Sequence, residues 1–198
     1  AATTCGKPDI ACSPFLCFHV SGGTTELVYA TLSDKNGFDV KIVGGTADIS
    51  AGQLIDRTGV LLGLKFPCGG ELEKLAEKVG KQKVKISANG ALCNYSGAEN
   101  NTVKMLRDGK SSAETARYAL DFCSASLISS VRAARKDYGD IPVLFAGGVM
   151  RDMIIRHELE NELENIFFGS VELSSDNAVG TAWLGKKVLE RSGRWNVR

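Results

Sequence analysis

Histidine is scarce in this chain. His19 and His157 are the two present among 198 residues. Six cysteines occur, yet none form a C-x-x-C pair, so the usual spacing of a structural zinc site is missing. No H-E-x-x-H occurs, which removes the common metalloprotease helix. Neither G-x-x-x-x-G-K-[ST] nor G-x-G-x-x-G is found, so a P-loop and a standard dinucleotide fold are excluded. No apolar run is long enough to span a membrane. Charge of one sign does not dominate: 24 Lys and Arg face 23 Asp and Glu, a net charge of +1, so no strong field draws the chain to a polyanion or an anionic surface. Internal repeats and low-complexity segments are also lacking.

What is present fits an ordinary globular chain, with 43% hydrophobic and 24% charged residues. Its length suits one packed domain. Cys17 and Cys123 lie in apolar surroundings and read as small core residues. A reduced, cytoplasmic setting is expected rather than a disulfide framework. Residues 1–14 have no secretory pattern and no initiator Met. They read as a loose lead-in, and the chain is expected to be excised from something longer.

Alternating runs at 15–20, 26–33 and 38–44 predict three strands. They are joined by Gly22-Gly23 and by Asp34-Lys-Asn-Gly37, a strong hairpin signal. The result is an antiparallel meander. The period then becomes helical over 49–64, with Asp48 placed to cap the helix and Gly63 to end it. A helix over 71–79, a short strand near 84–86 and a helix near 99–107 follow. The longest helix is expected over 112–137. The apolar strand 141–149 turns through Gly147-Gly148 into a helix over 150–163. A further strand and a final helix over 177–191 close the chain. A meander feeding β-α units implies an α/β fold, with a mixed sheet and helices on its faces. Residues 15–198 are read as one lobe, with 63–109 as a helical insertion.

Four features carry candidate chemistry. The corner Ser21-Gly22-Gly23-Thr24-Thr25 is either a plain hairpin loop or a backbone cradle for phosphate. Gly147-Gly148 is a tight strand-helix connection, or an anion site where helix N–H groups gather. Asp176 is a helix cap or a metal-directed carboxylate. Asp48, Gly52, Gln53 and Asp56 recur at helical spacing, as a solvated face or as one that meets a ribose or substrate.

Taken together these stretches resemble a known family. "HVSGGTTEL" (19–27), "GGTADISAGQLIDRTGVLLGLKFPCGGELEKLA" (44–76), "NYSGAEN" (94–100), "LFAGGVMRDMIIR" (144–156) and "ELSSDNAVGTAWLG" (172–185) are similar to the second half of the tRNA threonylcarbamoyladenosine-forming transferases. That family was formerly labelled glycoprotease, or O-sialoglycoprotein endopeptidase. The resemblance implies a ribonuclease-H-like lobe of the actin, sugar-kinase and heat-shock-chaperone ATPase superfamily, with the N-terminal lobe of the parent absent. It implies ATP or a threonylcarbamoyl-adenylate in a cleft. His19, Val20, Ser21, Gly22, Gly23 and Thr24 would hold phosphate, with Gly147 and Gly148 as a second glycine corner beside it. Asp56 and Gly70 would meet the ribose or substrate side, and Asp152 would face the nucleotide. Asp176 would be a ligand to one divalent metal, iron or zinc. tRNA and small related proteins would be partners, and no membrane is implied.

The chain departs from the family pattern in several places. Asp48 is followed by Ile49 where a second acid is usual. Gln53 replaces Glu, Asp152 replaces Asn, and Thr24 stands where His is familiar. The family's H-x-x-x-H pair is missing, and His19 is read as a packed or backbone-bonded strand residue. The parent is therefore expected to be a divergent transferase, with the isolated chain inactive and weak in metal binding. A non-catalytic nucleotide-binding or regulatory paralogue is the alternative, and a metalloprotease or a sugar-type kinase are lesser ones.

Overall fold

The structure is a computed structural model. It describes residues 9–33, 37–86 and 89–170, and also 181–182, 185–186 and 189–190. Expectations for 1–8 and for most of the segment after 170, Asp176 included, lie outside the described residues.

The alternating runs form the meander: β1 (Phe15–Val20), β2 (Thr25–Ser33) and β3 (Gly37–Thr46), antiparallel in sequence. The apolar run after the long helix forms β5 (Val143–Ala146), parallel to β1. β6 (Ile166–Phe168) adds beyond it, and β4 (Leu92–Cys93) joins the far side of β3. The strand order is β4-β3-β2-β1-β5-β6, a mixed sheet as expected. No strand forms at 84–86. Val84 and Ile86 pack part-buried against the core instead, and Gln82 donates its backbone N–H to Asp121 at 2.6 Å, so side-chain anchors replace a ladder there.

The helices are α1 (Ala51–Leu61), α2 (Gly69–Ala76), α3 (Ser96–Arg107), α4 (Ser112–Tyr138) and α5 (Met153–Glu162). Asp48 does not cap α1. Ser50 does, in a capping box with Gln53. Asp48 instead accepts from the backbone N–H groups of Tyr95 at 2.8 Å and Ser96 at 3.0 Å, at the start of α3. Gly63 follows the end of α1 with φ +81°, the left-handed conformation that suits glycine. The expected helix 150–163 splits into a 3-10 turn (Gly148–Arg151) and α5, because Asp152 is extended and caps α5.

One face of the sheet carries the main core. Leu16, Phe18, Val20, Leu27, Val143 and Phe145 meet the helices there, with α4 central through Leu120, Cys123, Leu127 and Val131. Leu72 of α2, Cys93 of β4 and Ala98 of α3 join the same core. A smaller cluster of Ile10, Phe15, Ala30 and Leu144 occupies the opposite face. Cys68, Cys93 and Cys123 are buried thiols, and no disulfide joins the described cysteines.

Candidate functional site

The corner at 21–24 is a closed hairpin. Ser21 N–H donates to the Thr24 carbonyl at 2.7 Å, and Thr24 N–H donates to Ser21 Oγ at 3.1 Å. The start of α1 is pinned to it. Ser50 Oγ donates to the Gly22 carbonyl at 2.7 Å, and Ala51 N–H donates to Thr25 Oγ1 at 2.9 Å. Gly52 makes this approach possible, since a Cβ there would lie 2.4 Å from the Ser21 carbonyl oxygen. Gly147 does the same on the other side. Its φ is +105°, and a Cβ would lie 2.2 Å from the Val20 carbonyl oxygen. Two glycines are thus spent on backbone packing. Gly22, Gly70 and Gly148 face open space.

That open space is a cleft of about 570 Å³. Five of the expected residues line it: Gly22, Asp56, Gly70, Gly148 and Asp152. The remaining described ones do not. Val20 is fully buried in the core. Ser21, Gly23 and Thr24 complete the turn beside the cleft, and Gly147 supports it from behind. His19 is exposed and stands opposite Glu26 in the β1–β2 register, so of the two expectations, packed or backbone-bonded, the packed one is not met. Of the expected α1 face, Gly52 and Asp56 line the cleft. Asp48 and Gln53 serve α3 and the capping box.

The cleft holds three carboxylates, and each has one oxygen fixed by a backbone amide. Asp56 Oδ1 accepts from Cys68 N–H at 2.9 Å, Glu73 Oε1 from Met153 N–H at 2.6 Å, and Asp152 Oδ1 from Ile155 N–H at 2.9 Å. This preorganises the second oxygen of each. Asp152 Oδ2 is buried and has no hydrogen-bond partner among the described residues. Burial, with Glu73 nearby, pushes the Asp152 carboxyl up to about 7. Arg151 is a basic group on the same wall, and Phe66 and Pro67 supply an apolar one. Glycine surfaces that admit a flat or phosphorylated group, and fixed acceptors suited to hydroxyls, describe a small polar ligand site.

Glu73, Arg151 and Phe66 escaped the sequence reading. The signal for Glu73 was its place four residues after Gly69 at the start of an amphipathic helix. Its bond to Met153, 80 residues on, leaves no local trace. A second hollow of about 450 Å³ lies between 81–86, α4 and α5. Several of its charges are paired, as in Arg132–Glu162 and Lys81–Glu158. Among the described residues no three His, Cys, Asp or Glu side chains converge as a metal set. No helix among them is long and apolar enough to cross a membrane.

Comparison with known proteins adds to this geometry. The family model described as tRNA N6-adenosine threonylcarbamoyltransferase matches residues 1–183. A curated relative of that description from Kosmotoga olearia is 33% identical, over 93% of this chain and 57% of its own length. Another, from Sulfurihydrogenibium sp., is 30% identical over 91% of this chain and 55% of its own. The chain spans about half the length of the curated relatives it matches. Among solved structures, full-length HypF in its phosphate- and nucleotide-bound form aligns with a TM-score of 0.72 at 12% identity, over 93% of this chain and 34% of that one. Component A of the (R)-2-hydroxyglutaryl-CoA dehydratase of Acidaminococcus fermentans aligns at 0.56 with 20% identity, over 91% and 63%. At such identities the likeness is one of fold. The shared fold is a mixed sheet with helices packed on it.

Proposed function

The chain belongs to the tRNA N6-adenosine threonylcarbamoyltransferase family, and from that membership we infer that its cleft binds the nucleotide part of an activated threonylcarbamoyl donor. The observation that carries this reading is convergence: Gly22, Asp56, Gly70 and Asp152 come from separate elements and line one cleft. HypF, a fold relative, is known in a phosphate- and nucleotide-bound form.

In this proposal ATP or threonylcarbamoyl-adenylate sits with its phosphate over the glycine surfaces of Gly22 and Gly148. The second oxygens of Asp56 and Glu73 accept from ribose hydroxyls. Asp152, raised to about 7, is about half protonated at neutral pH, and in that form it can donate a proton to a ligand acceptor much as an amide would. That chemistry makes Asp at this position compatible with the Asn usual in the family. Gln53 likewise closes the capping box as well as Glu would, so this departure has a structural account and does not by itself argue for a lost activity. In the longer protein, the exocyclic amine of a tRNA adenosine attacks the carbamoyl carbon, the adenylate phosphate leaves with the bonding electrons, and the nitrogen gives up one proton to solvent. The residues of this lobe orient the donor and shield it from water. A divalent metal would supply Lewis-acid polarisation, with Asp176 as this chain's contribution to its ligands. tRNA, small related proteins and a cytoplasmic setting belong to the same proposal.

Titration with ATP tests it. Asp56→Ala and Glu73→Gln are each expected to weaken binding about tenfold, the loss of one hydrogen bond to a fixed acceptor. Wild-type affinity in both folded variants would move the nucleotide away from this cleft.

A further inference from the structure

Among the described residues, most of the outer edge of the sheet is open. β4 pairs with β3 at Gly45 and Thr46, and no other described strand covers β3 between Phe38 and Val43. The side chains there are not those of a blunted edge. Val40 is 59% exposed and Ile42 is 64% exposed, on the sheet face away from the helices. Phe38 shares that face, part-buried against Phe15 at 5.9 Å between ring centroids. Asp39 and Lys41 point to the other face, are exposed, and form no ion pair among the described residues. A lysine on an edge ordinarily discourages pairing.

The order of these residues changes that. "FDVKI" (38–42) is complementary to itself when reversed. We propose that the β3 edge is a docking surface for a second copy of this chain, the two strands adding antiparallel about a two-fold axis at Val40. In that register Val40 meets Val40, Phe38 meets Ile42, and Asp39 meets Lys41 of the second copy on both sides of the axis. Faces are preserved because paired residues share parity, so the apolar side chains form one stripe and the charges form another. Sliding the register by two residues would set Asp39 against Asp39 or Lys41 against Lys41, and like charges directly opposite are unfavourable. The open backbone groups of both edges are satisfied at once, in an isologous interface. The contact is short, so association depends on concentration.

A charge exchange tests this in the protein at its natural full length, with mass followed by sedimentation velocity. Wild type is expected to move from monomer toward dimer as concentration rises to roughly 1 mM. Asp39→Lys places four lysines across the axis, and Lys41→Asp places four aspartates. Each variant alone is expected to associate at least tenfold more weakly. An equimolar mixture of the two restores opposite charges at every pair and is expected to regain association. The double variant D39K/K41D should behave as wild type does. A wild type that stays monomeric throughout, single variants that associate unchanged, or a mixture that does not recover would each overturn the proposal.

Discussion

At the scale of the residue, Asp152 is the most consequential side chain. One oxygen caps α5, and the other is buried with no partner among the described residues. Its carboxyl rises from the ordinary 3.8 to about 7 in the fold, with burial as the first cause. The folded state therefore holds a proton that the unfolded chain has released. Between these values stability falls as pH rises, and below them the effect vanishes. Asp152→Asn keeps the capping acceptor and removes the titration. Wild type is expected to lose about 2–3 kcal/mol between pH 5 and pH 8 that the variant retains. Thermal unfolding at the two pH values measures it, and parallel losses in both proteins would refute a buried neutral acid. The sequence marked position 152 through its resemblance alone. Its burial depends on neighbours from other elements and Glu73 of α2 adds a like charge, and no local pattern records either.

At the scale of the element, α1 shows what decides where a helix starts and what it touches. Its period is legible in the sequence, and the expected start at 49 with a cap at 48 lies two residues before the observed ones. Asp48 and Ser50 are both good caps, and the choice between them fell to α3, whose Tyr95 and Ser96 amides claim Asp48. Gly52 then lets the first turn rest on the hairpin. Helix propensity alone would make Gly52→Ala favourable by about 1 kcal/mol. The Cβ would instead lie 2.4 Å from a backbone oxygen that cannot swing away. The variant is expected to be less stable by about 2 kcal/mol in urea unfolding and to bind ATP more weakly. A more stable variant would show that the helix does not approach the hairpin so closely.

At the scale of the molecule, a buried ionic bridge ties α4, α5 and the 81–86 segment together. Arg117 of α4 meets Asp121 at 2.9 Å and Glu158 of α5 at 3.3 Å, and Asp121 also accepts from Gln82. The Asp121 side chain is fully buried, and desolvation raises its pKa in spite of the arginine. Removing the cation would leave these acids buried without it. Arg117→Met is expected to cost about 3–5 kcal/mol in chemical denaturation. Faster amide exchange at Gln82 should accompany it, because the 81–86 segment has no ladder of its own. Unchanged exchange there would separate the bridge from that segment.

The sequence by itself determined the meander, the later alternation of the long helix α4, β5, α5 and β6, and the family, while its hairpin signal at 34–37 and its final helix fall mostly outside the described residues. Each of these is written locally, in period, in turn residues or in contiguous motif stretches. Tertiary structure alone decided how the glycines divide, with Gly52 and Gly147 spent on backbone contact while Gly22, Gly70 and Gly148 face the cleft. It also brought Glu73 to Met153, sent Asp48 to α3, left 84–86 without a partner strand and exposed His19. Those outcomes depend on which distant atoms arrive beside a residue, and a linear pattern carries no record of its neighbours across the fold.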